Sequence, residues 1–347
     1  MGNFLSLVQV EHQKLWKRLS TKIMPLILIA VVAGLIGLVR LESNMAGVNI
    51  TTGTTGQTEG QSAFTDWRQT LEAENRSIQA EIDTAEKSTR QSGKTQLDAS
   101  KATLAKNQYA LDHNLRPANL NENGSYNNSS TNDFWNSVLR IGMSSIAALF
   151  AIIACTALVA GEFSEGTMKT ALTRPFTRGQ VLSAKLLVVV GYSVMVVAVS
   201  QLTALASTAA FFGTGGAWRT VLLWMGGRAV PLSGWAAFAL VSGLELLTTL
   251  VYVCLTFALS AISRSRAVAT GVSIFLMFAG SFTMFIAYNF SWGKLIFFAD
   301  TAFSSFVLSG APFYGITLGS ALLICSAYSA AFLAAAYAAF IRRDVAG

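Results

Sequence analysis

The sequence predicts an all-α polytopic membrane protein: six transmembrane helices, an N-terminal amphipathic elbow helix, and a helical extracytoplasmic insertion between spans 1 and 2. Three observations predict it. Of 347 residues, 52% are hydrophobic and only 12% are charged, about half the charge of an ordinary soluble domain, and the mean hydropathy is +0.49. Six segments, residues 23–39, 138–160, 186–212, 236–262, 267–288 and 316–341, approach the roughly 20 apolar residues needed to cross a bilayer. Charge is also unevenly spread: residues 40–137 carry 12 of the 18 acids but only 9 of the 25 bases. That stretch is water-soluble, and the remainder is basic. An ordinary soluble enzyme is excluded, and the basic surplus reads as membrane topology rather than nucleic-acid binding.

Residues 1–22 form the predicted elbow helix. Phe4, Leu5, Val8, Leu15, Trp16 and Leu19 recur at helical spacing, opposite Gln9, Gln13, Lys14, Lys17 and Arg18. Such a helix lies in the interface of the lipid bilayer with its lysines at anionic headgroups; a plain basic leader that only sets topology is the alternative. Residues 23–39 are the first span. Pro25 falls in its first turn, where proline is tolerated, and no small-x-small cleavage site follows at signal-peptide distance.

Residues 40–137 are the extracytoplasmic segment, a Thr/Gly/Asn-rich linker followed by a helical hairpin. Trp67, Leu71, Ile78 and Ile82 mark one helix, Leu97, Leu104 and Leu111 the other, with Gln91-Ser92-Gly93 as the turn. So thin an apolar seam needs a partner or the membrane domain to pack on. Residues 138–347 make the five-span membrane domain. On the assigned inner side 12 bases face four acids, Glu11, Glu162, Glu165 and Asp344, so both termini are expected in the cytoplasm of a multi-pass cell-membrane protein.

The loop 161–185 holds the densest polar pattern. Glu162 and Glu165 stand where the chain leaves the bilayer, beside Phe163, and Gly166 permits a turn. Thr167 can cap a short helix over 168–173 that Pro175 ends. Arg174 and Arg178 then sit on a compact knob, and Lys185 anchors the third span. A short helix held between two spans suits a lever that receives force from a soluble partner. A positive-inside loop that happens to fold fits the spacing equally well.

Glu162-Phe163, Gly166-Thr167, Leu172, Pro175, Arg178 and Lys185 match the pattern EF-x-x-GT…L-x-x-P-x-x-R…K. In this the chain resembles the permease (transmembrane) subunits of the type-2 ATP-binding-cassette exporters, over most of residues 1–39 and 138–343. The resemblance implies that the loop contains a coupling helix docking on a separate ATP-binding-cassette ATPase subunit. Its coupling residues would be Glu162, Phe163, Glu165, Gly166, Thr167, Arg174 and Arg178. It also implies a second permease subunit, identical or paralogous, completing the substrate pathway. The 98-residue insertion departs from compact members, so no substrate class carries over.

The chain contains no GxxxxGK[ST] phosphate loop. ATP and Mg are therefore expected on the partner, with no cofactor, metal or catalytic residue in this chain, which is not expected to be an enzyme. His12 and His113, its two histidines, lie outside the spans, and Cys155, Cys254 and Cys325 sit in apolar runs without metal-ligand spacing.

Residues 289–315 are too polar for a seventh span and too apolar for a free loop. Re-entrant helices capping an outer vestibule fit this composition, as does a loop lying on the membrane. Glu245 is the acid inside a span, with Gln201 as a candidate partner; a polar contact between helices and a place in the transport pathway both fit. A different class of function, a membrane sensor or assembly protein whose hairpin binds a ligand or partner, would need a larger cytoplasmic output domain than these short loops offer.

Overall fold

A computed structural model describes residues 4–46, 66–87, 97–117, 134–141, 144–166, 176–289, 295–296, 301–312 and 315–342. Its apolar runs of Leu, Ile, Val and Ala fold as helices, which satisfy every backbone N–H and C=O internally. In order these are α1 (Phe4–Lys17), α2 (Leu19–Ala46), α3 (Trp67–Lys87), α4 (Leu97–Asp112), α5 (Phe134–Ile141), α6 (Ser144–Leu158) and α7 (Ala160–Ser164). There follow α8 (Arg178–Phe212), β1 (Thr220–Met225), β2 (Arg228–Ser233), α9 (Gly234–Ser263), α10 (Arg266–Asn289), α11 (Phe303–Leu308) and α12 (Leu318–Arg342). Among the described residues, five stretches are long and apolar enough to cross a membrane: Leu19–Leu41, Ser145–Ser164, Arg178–Phe212, Gly234–Ser263 and Leu318–Arg342. The remaining expected span is helical as α10, with Arg266–Gly280 as a shorter apolar helix.

Two boundaries differ from expectation for identifiable reasons. Helix α8 starts at Arg178, about two turns before residue 186, because Thr177 and Gln180 close a reciprocal capping box: Gln180 N donates to Thr177 Oγ1 at 3.3 Å and Thr177 N to Gln180 Oε1 at 3.0 Å. The described parts of the second span are α5, α6 and α7. Helix α5 packs into a different apolar cluster from α6, and the apolar stretch runs on through α7 to Ser164.

The chain is mostly helical, and the structure adds one antiparallel hairpin in which Met225 pairs with Arg228 and Thr220 with Ser233. The two linking residues, Gly226 and Gly227, have φ of 60° and 79°. That is the left-handed geometry a two-residue hairpin turn demands and glycine supplies.

Helix α9 is central, packed on α6, α8, α10 and α12. Two apolar cores lie along it. One joins Leu28, Val32 and Ile36 of α2 with Leu158, Val189, Val196, Phe257 and Phe340; the other joins Trp135, Leu223, Val241, Phe303 and Phe306. The first runs the length of α2 and α8, and the second lies toward the β1–β2 hairpin. The basic end gathers α1, α7, the start of α8, the α9–α10 link and the end of α12. The hairpin end gathers α5, β1–β2 and α11.

Helix α4 docks on the hairpin end. Asp98 accepts from Ala311 N at 2.6 Å and from the Trp224 indole at 3.2 Å, both on Oδ2, and Lys106 donates to Leu308 O at 2.6 Å. Gly310, at φ 94°, passes so close that a Cβ there would lie 2.9 Å from Asp98 O. The expected α3–α4 pair is thin as anticipated. Its seam is Trp67, Leu71 and Ala110, and Ala102 is buried where Leu104 is only half-buried. Small side chains let the two polar helices approach.

Candidate functional site

Helix α1 buries Leu7, Glu11 and Leu15. Those positions are four residues apart and so stack on one helical face. Leu5 and Leu19, expected on the apolar face, are 72% and 70% exposed. The buried stripe is therefore centred on a glutamate, and that glutamate has partners. Lys185, on the first turns of α8, is 0% exposed; its Nζ lies 2.6 Å from Glu11 Oε2 and 2.7 Å from Glu162 Oε2. Lys14, one turn beyond Glu11, reaches Glu11 Oε1 at 2.6 Å and Glu162 Oε1 at 2.8 Å.

The four side chains close a ring of alternating charge. Each ammonium faces two carboxylates, and each carboxylate gives one oxygen to each lysine. Lys185 adds a bond to Leu158 O at 3.2 Å, at the end of α6. Burying an ion is costly unless its partners are close and complete, and here two positive and two negative charges balance inside one ring. Burial by itself pulls the Lys14 ammonium downward, but the hydrogen bonds and charges of Glu11 and Glu162 outweigh it and hold Lys14 above its ordinary 10.5.

The ring joins three segments far apart in sequence: α1, α7 and α8. Its surroundings extend the join. Arg18 reaches Glu165 at 3.3 Å, and a Cβ at Gly161 would come within 3.3 Å of the Arg18 guanidinium. Arg264, itself at φ 54°, lies over the Phe163 ring at 5.4 Å, and Phe163 meets Phe340 edge-on at 6.1 Å. Arg266 N donates to Ser164 Oγ at 3.2 Å. Every element of the basic end thus contacts the residues around Glu162.

The expected loop residues separate accordingly. Glu162 is buried in the ring, Glu165 is half exposed in its pair with Arg18, and Phe163 packs on α12. Gly166 has φ 71° with open space around it, the turn its identity suggested. Arg178 is not on a separate knob: it opens α8 and donates to Ile341 O at 3.3 Å, at the end of α12. A cation there is favourable for the carbonyl end of α12. Thr167, Arg174, Pro175 and the expected 168–173 helix lie outside the described residues, as do the Gln91–Gly93 turn and part of segment 289–315. Glu245 and Gln201 are both buried, on helices α9 and α8 that pack together, and Thr249 donates to Glu245 O at 3.0 Å.

Sequence reasoning assigns Glu11, Lys14 and Lys185 to topology and anchorage. A signal was available: Glu11 is the one acid in a basic leader, on the same face as Leu7 and Leu15, and Lys185 lies among Val181, Leu182, Leu186 and Val188. A charge on each of two apolar faces asks for a partner. Among the described residues no group of His, Cys, Asp and Glu is arranged to hold a metal ion.

A family model described as "Protein of unknown function (DUF2705)" matches residues 116–346. The chain belongs to the DUF2705 family. It is 30% identical over 284 residues to the Bacillus subtilis (strain 168) "Uncharacterized protein YhcI", covering 81% of this chain and 85% of that one. It is 29% identical over 204 residues to that organism's "Uncharacterized membrane protein YdbK", 58% of this chain and 78% of that protein. With its long apolar helices, this family member is a multi-pass helical membrane protein. The family match includes Glu162 and Lys185, whereas Glu11 and Lys14 precede it.

Proposed function

We propose that the chain is the membrane-spanning permease subunit of an ATP-driven exporter of the ABC type. It forms the substrate pathway with a second permease subunit, identical or paralogous, and takes force from a separate ATPase subunit through the 161–185 loop. In this reading α1 is the elbow helix, α2, α5–α7, α8, α9, α10 and α12 supply six spans, and the basic end faces the cytoplasm. ATP and Mg2+ are held by the partner.

The observation that carries the reading is the buried ring of Glu11, Lys14, Glu162 and Lys185. It fastens both flanks of the loop, and the helix preceding the first span, into one unit. A push on the loop then moves α6–α7 and α8 with α1 rather than flexing a hinge, because shifting one element would strand a buried charge. A loop with only a topological role needs no such fastening.

Purification of the full chain from native membranes tests the reading. The expected result is a co-purifying subunit with a phosphate-binding loop, with ATP hydrolysis belonging to the complex and absent from the isolated chain. Hydrolysis by the isolated chain, or a stable preparation with no ATPase partner that still transports, would overturn it. The sensor reading draws on α4, docked by Asp98 and Lys106; it gains if a ligand of the hairpin changes the basic end without an ATPase.

A further inference from the structure

Helix α1 touches α8 through Leu7 and the charge ring, but the two helices part along one flank. Between them is an open groove of about 580 Å³. Its floor is the surface of α8 at Val188, Gly191, Tyr192 and Met195. Gly191 is exposed, and a Cβ there would meet nothing within 4 Å. The Tyr192 hydroxyl donates to Thr21 O at 3.4 Å, which leaves the ring as lining. The rim is different in kind. Gln9, His12 and Gln13 of α1 border the groove and are all exposed, with Trp16 6.0 Å from the His12 ring.

The leader-helix wall is thus mixed, with Val8, Leu15 and Trp16 below the exposed Gln9, His12 and Gln13, and the opposite wall along the membrane span is apolar. From residue 187 to residue 195, α8 rises about 12 Å at 1.5 Å per residue, most of one leaflet of a roughly 30 Å hydrocarbon core. Lys17 stands one turn after Gln13 on the same flank and is exposed, so the charge beside the polar rim is positive. Tryptophan beside such a rim is where the bilayer interface favours it.

We propose that this groove is a binding site for one anionic phospholipid of the surrounding bilayer. An acyl chain lies on Val188, Gly191 and Met195, and the headgroup meets Gln13, His12 and Lys17. The site goes beyond the permease reading and does not depend on it: it needs only the groove, the membrane and Lys17.

Native mass spectrometry of the full chain, titrated in detergent with dioleoyl phosphatidylglycerol or dioleoyl phosphatidylcholine, tests it. The wild type is expected to hold one phosphatidylglycerol per chain, with about a tenfold preference over phosphatidylcholine. Gly191→Leu fills the floor and is expected to reduce that binding by about tenfold. Gly34→Leu, at an exposed glycine of α2 whose Cβ also meets nothing, should leave it unchanged. Lys17→Gln should erase the headgroup preference while a lipid still binds, which keeps the test independent of how well Gly191→Leu folds. Equal binding by wild type and Gly191→Leu, or a preference that survives Lys17→Gln, would overturn the site. So would an interchain disulfide formed by Gly191→Cys, because a second copy would then occupy the groove.

Discussion

The two ends of this bundle are fastened by different physics. At the basic end four charges form a closed ring, with Lys185, Glu11 and Glu162 buried at 0%, 1% and 5% side-chain exposure and Lys14 half-buried at 35%. At the hairpin end one half-buried carboxylate, Asp98, takes a backbone N–H and an indole N–H. The first arrangement is intolerant of partial loss, since removing one member leaves its neighbours charged and out of water. The second loses two hydrogen bonds and lets water in.

The largest expected effect is at the ring. Lys185→Met should destabilise the detergent-solubilised chain by about 3–5 kcal/mol, the cost of stranding buried partners, read as a lower unfolding midpoint. Adding Glu11→Gln leaves the Lys14–Glu162 pair balanced. The double variant should therefore be more stable than the sum of the single losses predicts, a coupling measurable in a double-mutant cycle. Strict additivity would mean that the four groups do not act as a ring.

Asp98→Ala should cost less, about 1–3 kcal/mol for donors left unmet, and the loss should be local. Limited proteolysis would then release the α3–α4 segment while the basic end keeps its protection. If Asp98→Ala lowered the midpoint as much as Lys185→Met, the contrast between the ends would fail.

Gly166→Val comes next. At φ 71° a β-branched residue is strained by roughly 1–2 kcal/mol, although nothing crowds its Cβ. Amount and insertion should be normal, with the defect confined to partner-dependent ATP hydrolysis. The smallest effect is alkaline. The Lys14 pKa is raised on folding, so its contribution is complete below 10.5 and fades only as pH climbs through the raised value. Wild-type unfolding midpoints should fall in that alkaline window, and Lys14→Met should lack that part of the fall.

How much of this was legible in the sequence follows from what local patterns encode. Runs such as residues 236–262 announced α9 because an apolar stretch of that length is long enough to cross a bilayer as a helix. The α3–α4 pair was visible from Trp67, Leu71 and Leu97, but its docking was not, since Asp98 reads as one more surface acid until Ala311 and Trp224 are beside it. The β1–β2 hairpin had a usable mark in Gly226-Gly227 between two apolar stretches, outweighed by the surrounding helical composition. The ring was hidden for a deeper reason. Glu11 and Lys185 are 174 residues apart, and no periodicity links them. Only the fold reveals that both apolar faces carrying a charge are the same interface.

In the proposed function the basic end, fastened by the ring, is the surface that meets an ATPase. Photo-cross-linking in native membranes tests it most directly, with a photoreactive residue in the full chain either at position 165, half exposed beside Arg18, or at position 218, where Trp218 is 86% exposed at the opposite end. Position 165 is expected to capture a subunit carrying a phosphate-binding loop, and position 218 is not. Capture of that subunit from 218, or its absence from 165 in membranes that contain it, would contradict a docking role for the basic end.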